Sequence, residues 1–190
     1  MSTSVKQVTT VVDLIAQSAY DLWRSKEFQN MVGSETIPER EQDRIFNELE
    51  VTGLGLLALA GEELLDTKLV DKAVDKFIET LRSYSIEEEF IDQWRLLISS
   101  RFDEFSRDYQ EALTIAEEWK EFQEDEYLRM SWAKVETLTI DSVTHIRKGK
   151  INPEDPLWII IRRWLVVLNG IILQKLAGRK KQKMKKKFTN

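Results

Sequence analysis

Residues 51–61 read VTGLGLLALAG, eleven consecutive positions that carry no charge and would be apolar or small on every side of a helix. A bilayer span needs roughly 20 such residues. The stretch is therefore too short to cross a membrane and reads as the buried middle of a central helix. Gly53 and Gly61 mark where a neighbouring helix should come close. Outward from this segment the same helix extends over about Pro38 to Leu65, beginning as an ordinary amphipathic stretch with Ile45, Phe46 and Leu49 on one side.

The breakers divide the rest of the chain. All three prolines and all seven glycines fall outside Glu62 to Lys148, a run of helix formers whose internal boundaries must come from capping residues. Thr36-Ile37-Pro38-Glu39 and Ser85-Ile86-Glu87-Glu88 have the spacing of capping boxes. Apolar spacing predicts a first helix over about Thr9 to Met31, ending at Gly33, and a third over about Lys68 to Tyr84. A ladder of Ile91, Trp94, Ile98, Phe102, Phe105, Tyr109, Ala112, Ala116 and Trp119 predicts one long helix from Ile86 to Phe122 rather than two interrupted near Ser99-Ser100. A fifth helix spans about Asp125 to Arg147. No stretch alternates as a strand does. The expected fold is all-α: an antiparallel helical bundle of about six helices, with an amphipathic C-terminal helix and a basic tail. Residues 1–177 form the single helical domain and residues 178–190 the tail.

Charge is divided unevenly. All 33 acidic residues lie at or before Asp155, whereas residues 156–190 carry ten Lys and Arg and no acid. An acidic body is thus joined to a cationic end, which must meet something negative. Cysteine is absent, which excludes disulfides, thiolate zinc sites and iron–sulfur clusters and fits a cytoplasmic protein. The first twenty residues lack the pattern of a secretory signal.

The cationic end begins with Asp155-Pro156, a good N-cap and N1 pair. Leu157 to Ala177 would form a helix about 31 Å long, enough to span a bilayer. Arg162 and Arg163 oppose that, since each costs about 2.5 to 3.5 kcal/mol near the centre of a spanning helix. Ile160, Ile161, Trp164, Leu165, Val167, Leu168, Ile171 and Ile172 share one half of the helix; Arg162, Arg163, Asn169, Gly170 and Gln174 share the other. Such a helix packs on a core or lies on a membrane surface. The residues expected to make the anionic contact are Arg162, Arg163 and Lys175 on the helix, then Arg179, Lys180, Lys181, Lys183, Lys185, Lys186 and Lys187. The tail is mostly lysine with one aromatic ring, so it lacks the means of sequence-specific nucleic-acid recognition.

Nothing in the sequence spells a reaction. The twin Glu-x-x-His of carboxylate-bridged di-iron bundles is missing, because the single histidine, His145, follows Ser142. His145 reads as a cap near the end of the fifth helix. Glu117, Glu121 and Glu124 share a helix face but read as solvated, while Trp94, Trp119 and Trp132 read as core anchors. No phosphate-binding or nucleophile motif is present. No catalytic residue, metal ligand or cofactor is assigned. The expectation is a non-enzymatic, cytoplasmic interaction protein docking at the inner face of a membrane through its basic end. A subunit whose tail meets an acidic protein partner is the second reading, compatible with a homo-oligomer formed through helical faces; a metal-dependent helical enzyme is the third.

Overall fold

The computed structural model describes residues 5–63, 67–83, 86–149, 152 and 154–187; for 5, 6, 62, 63, 67 and 177–187 only the backbone is described. Every regular element among them is an α-helix: α1 (Val5–Arg24), α2 (Lys26–Val32), α3 (Glu39–Glu63), α4 (Thr67–Ser83), α5 (Glu88–Glu117), α6 (Lys120–Gln123), α7 (Glu126–Arg147) and α8 (Pro156–Lys187).

The eleven-residue apolar segment lies at the centre. Residues 51–61 of α3 are all buried, and α3 touches α1, α4, α5, α7 and α8. Burial on all sides explains why this helix has no polar face: each side meets another helix instead of water. Close approach requires small residues at two points. A Cβ on Gly53 would lie 2.6 Å from Ile15 Cγ2, and one on Gly55 would lie 2.7 Å from the Phe105 ring and 2.8 Å from Leu138 Cδ2. Gly53 was expected to have this role. Gly55, between α5 and α7, was not.

Two expected helices are each divided, giving eight helices where about six were expected. The first breaks at Ser25, whose extended backbone ends α1 and whose Oγ accepts the Phe28 amide, capping α2. The break turns Phe28 into the core, where it meets Trp23 edge-on at 6.0 Å. Gly33 closes α2 in the left-handed conformation expected of a C-cap glycine. The long helix α5 runs uninterrupted through Ser99-Ser100 but stops at Glu117. Trp119 is extended there, and its ring stacks on Phe122 at 5.7 Å and packs on Trp132 at 5.0 Å. That aromatic cluster folds α6 back onto α7. Trp119 remains 45% exposed, so it is a rim residue and not a core anchor.

The capping residues also differ in part. Thr36 donates its hydroxyl to Gly33 O and belongs to the turn closing α2, while Pro38 O receives the first amides of α3. Ser85 lies outside the described residues, and Glu87 occupies the N-cap position of α5 without a side-chain bond. Asp155 caps α8 as expected, accepting the Leu157 amide at 2.9 Å, and it is held by Arg147 at 2.7 Å. Glu41 and Arg44 fasten α3 to the end of α7, with Arg44 donating to His145 O and Ile146 O. Arg44 and Lys148 together hold the Glu41 carboxyl well below the usual carboxylate range.

Candidate functional site

Two places bring functional side chains together: the outer stripe of α8 and a charged layer among α3, α5 and α7.

The inner side of α8 buries Leu157, Ile160, Ile161, Leu165, Leu168, Asn169 and Ile172, against α1, α2, α3 and α7. Two polar groups fix its register: Trp164 Nε1 donates to Ser18 Oγ at 2.7 Å, and Asn169 Nδ2 donates to Ser131 Oγ at 2.9 Å. The expected division into an apolar and a polar half therefore needs correction. Asn169 faces inward because Ser131 receives it, and Val167 faces outward, 62% exposed. Ile159 and Val166 are each 55% exposed on the same outer stripe. They flank Arg162 and Arg163, and with Trp158 these residues line a shallow groove of about 700 Å³. Arg162 pairs with Glu136 at 3.3 Å; Arg163 has no ion-pair partner among the described residues. Lys175 is exposed. The side chains of Arg179, Lys180, Lys181, Lys183, Lys185, Lys186 and Lys187 lie outside the described residues. Length and a mean hydropathy of 1.7 would allow Pro156–Leu176 to cross a membrane, as they would for a core helix.

The second place was not anticipated. Arg101 of α5 grips Glu48 of α3 with two hydrogen bonds, Nη2 to Oε1 at 2.8 Å and Nε to Oε2 at 3.2 Å, and reaches Glu104 at 3.4 Å. Across from them on α7 stands Asp141, 6% exposed, with its Oδ2 lacking any hydrogen-bond partner among the described residues. One carboxylate oxygen each of Glu104, Asp108 and Asp141 lies within 4.8 Å of the others. Arg107 donates to Asp108 at 2.8 Å. Burial, then the charges of Asp108 and Glu104, push the Asp141 carboxyl up to about 7.

His145 belongs to this layer and does not act as a cap. Its Nε2 stands 3.0 Å from Glu104 Oε2, and the carbonyls at the end of α7 are served by Arg44 instead. Glu117, Glu121 and Glu124 are all exposed and do not share one helix, since the chain turns at Glu118-Trp119; Glu117 pairs with Arg129 at 3.6 Å. The sequence did contain a signal for the charged layer. Glu104-x-x-x-Asp108 and Asp141-x-x-x-His145 are both four-residue spacings of ligand-type side chains, different from the Glu-x-x-His spacing of di-iron bundles.

No protein-family model, curated protein or solved structure matches the chain.

Proposed function

We propose that this protein is a non-enzymatic interaction protein of antiparallel bundled helices that docks on an anionic membrane surface through α8 and the basic residues at its end. The observation that carries the reading is the outer stripe of α8. Ile159, Val166 and Val167 are more than half exposed beside Arg163, a cation with no ion-pair partner among the described residues. Apolar side chains at that position gain by entering the boundary between headgroups and acyl chains. Arginine can lay its stem along that boundary while its head stays at phosphate level.

Magnitudes decide which force leads. Full burial of an aliphatic side chain is worth about 1.5 to 3 kcal/mol, so three that are already partly covered supply a few kcal/mol together. Seven Lys and Arg between Arg179 and Lys187 supply about 1 kcal/mol each when near an anionic surface. The charge term leads, and the binding it predicts is salt-reversible. A crossing helix is a poorer fit, because one side of Pro156–Leu176 is engaged by its own fold and Arg162 and Arg163 would lie within the hydrocarbon layer.

The test is co-sedimentation of the full chain with vesicles of phosphatidylcholine alone or with about a third phosphatidylserine. Sedimentation should require phosphatidylserine, weaken in Val166→Asp/Val167→Asp, and disappear as salt rises from ~0.1 M to ~1 M and the Debye length falls from about 10 Å to about 3 Å. Indifference to phosphatidylserine would refute membrane docking. Retention at ~1 M salt and in carbonate would instead mean that the helix crosses. A salt-dependent change in the size of the protein without lipid would point to an acidic protein surface.

A further inference from the structure

Two pairs of ligand-type residues face each other between α5 and α7. Glu104 and Asp108 stand one turn apart on α5, and Asp141 and His145 stand one turn apart on α7. The three carboxylates present oxygens within 4.8 Å of one another. A single point lies within about 2.8 Å of all three, so small side-chain shifts would bring them to the roughly 2.0 to 2.6 Å of a bound ion.

Acidic groups alone gather on many helix surfaces, but this group differs in the state of Asp141. It is 6% exposed, and its buried Oδ2 has no hydrogen-bond donor among the described residues. Buried carboxylate oxygens are ordinarily satisfied, because leaving one without a donor forfeits the water it gave up. Neither arginine nearby supplies it. Arg101 is committed to Glu48 and, at 3.4 Å, to Glu104, Arg107 to Asp108, and neither forms an ion pair with Asp141. The local charge agrees: Glu48, Glu104, Asp108 and Asp141 are four carboxylates against two guanidiniums. When all are ionised, two negative charges remain, which one divalent cation would neutralise.

We propose that Glu104, Asp108 and Asp141 form a divalent-cation site, with His145 holding the Glu104 carboxylate through its 3.0 Å hydrogen bond. Three carboxylate oxygens select hard cations such as Mg²⁺, Mn²⁺ or Ca²⁺ over thiophilic metals. A shallow concavity of about 560 Å³ along α5, lined by Leu96, Ser99, Ser100, Asp103, Glu104 and Arg107, leads from solvent to Glu104. The ion would tie α5 to α7 beneath the turn where Arg44 fastens α3. This assignment is independent of any membrane docking by α8.

The experiment titrates the full chain with Mn²⁺ alone, following loss of the free-ion paramagnetic resonance signal. One Mn²⁺ per chain should bind, with a dissociation constant no weaker than about 1 mM. Asp141→Asn and Asp108→Asn should each weaken it by about tenfold or more, while Glu111→Gln, an exposed acid elsewhere on α5, should leave it unchanged. Thermal unfolding supplies a second readout: Mn²⁺ should raise the midpoint of the parent protein and not that of Asp141→Asn. Asp141→Asn matches the protonated acid in shape, and far-ultraviolet circular dichroism checks that it folds. Should it not fold, Asp108→Asn, at a half-buried position, decides the matter. No uptake at about 1 mM Mn²⁺, or a binding constant left unchanged in a folded Asp108→Asn or Asp141→Asn variant, would overturn the site.

Discussion

Glycine to alanine at positions 55 and 170 should have opposite effects, although both residues lie inside helices. Removing a glycine from a helix interior gains about 0.8 to 1 kcal/mol in helix propensity wherever the new methyl group meets nothing. Gly170 of α8 fits that description, since apart from its chain neighbours and the nearby backbone of its own helix no heavy atom of the described residues lies within 4 Å of its Cβ position. Gly170→Ala should therefore stabilise the protein by about 1 kcal/mol. At Gly55 the methyl would lie 2.7 Å from two atoms of the Phe105 ring and 2.8 Å from Leu138 Cδ2, distances that a real contact does not reach. Neither neighbour can yield cheaply, because Phe105 is 1% and Leu138 0% exposed. Overpacking of this kind costs about 1 to 3 kcal/mol, and two rigid contacts place it in the upper half of that range. After the propensity gain is subtracted, Gly55→Ala should lose about 1 to 2 kcal/mol. The gap between the two variants is then about 2 to 3 kcal/mol, well above the error of urea denaturation when the slopes agree. Two variants stabilised alike would refute the seating of α3 against α5 and α7.

The buried carboxyl of Glu50 is pushed up from 4.5 to about 7 by burial. It therefore takes up protons in the fold that the unfolded chain releases, and the fold loses stability as pH climbs through that interval. Glu50→Gln should be near neutral at pH 4 and stabilising by on the order of 3 kcal/mol at pH 8; equal urea midpoint shifts at both pH values would exclude this. Arg101→Met should cost about 3 to 5 kcal/mol, because it leaves Glu48 buried without its cation, and adding Glu48→Met should restore most of the loss in thermal unfolding. Ser25→Ala removes the cap of α2 and should lower stability by about 1 kcal/mol, with amide exchange fastest at Phe28 if the Ser25 hydroxyl protects it.

Helix type and placement were legible wherever one apolar stripe met one core. The spacing in α4 and α7 gave their extents within about a turn, and the uniform apolarity of residues 51–61 identified the helix that others surround. The second break was not legible from periodicity, because the α5 ladder continues across it to Trp119 at a spacing of three; the first is marked by a loss of phase between Leu22 and Phe28. Phe28 would fall on the opposite side of a continuous α1, about 160° from the centre of its apolar stripe, so the break at Ser25 is what lets it reach the core. Trp119 and Phe122, by contrast, extend the α5 ladder in sequence, while in space they belong to an aromatic cluster on α7. A ladder reports which residues seek a core, and it does not report which core they find.

The charged layer was hidden for a related reason. Glu48, Glu104, Asp108 and Asp141 each stand beside an apolar stripe on their own helix, and on a single helix that position is the solvated shoulder. It becomes interior only when α3, α5 and α7 bring their shoulders together, a fact held jointly by three segments and by none alone. The outer stripe of α8 shows the converse. Ile159, Val166 and Val167 resemble core residues in sequence, yet they point outward because Trp164 and Asn169 anchor the opposite side to Ser18 and Ser131. Two polar bonds thus choose the rotation of a helix whose apolar residues would permit several. A turn that buried Val166 and Val167 would draw Asn169 away from Ser131 and carry the arginine pair toward the core, where each charge would require a buried partner. Arg162 already has its partner in Glu136 at the edge. The polar groups of α8 therefore determine which of its apolar residues remain free for another surface.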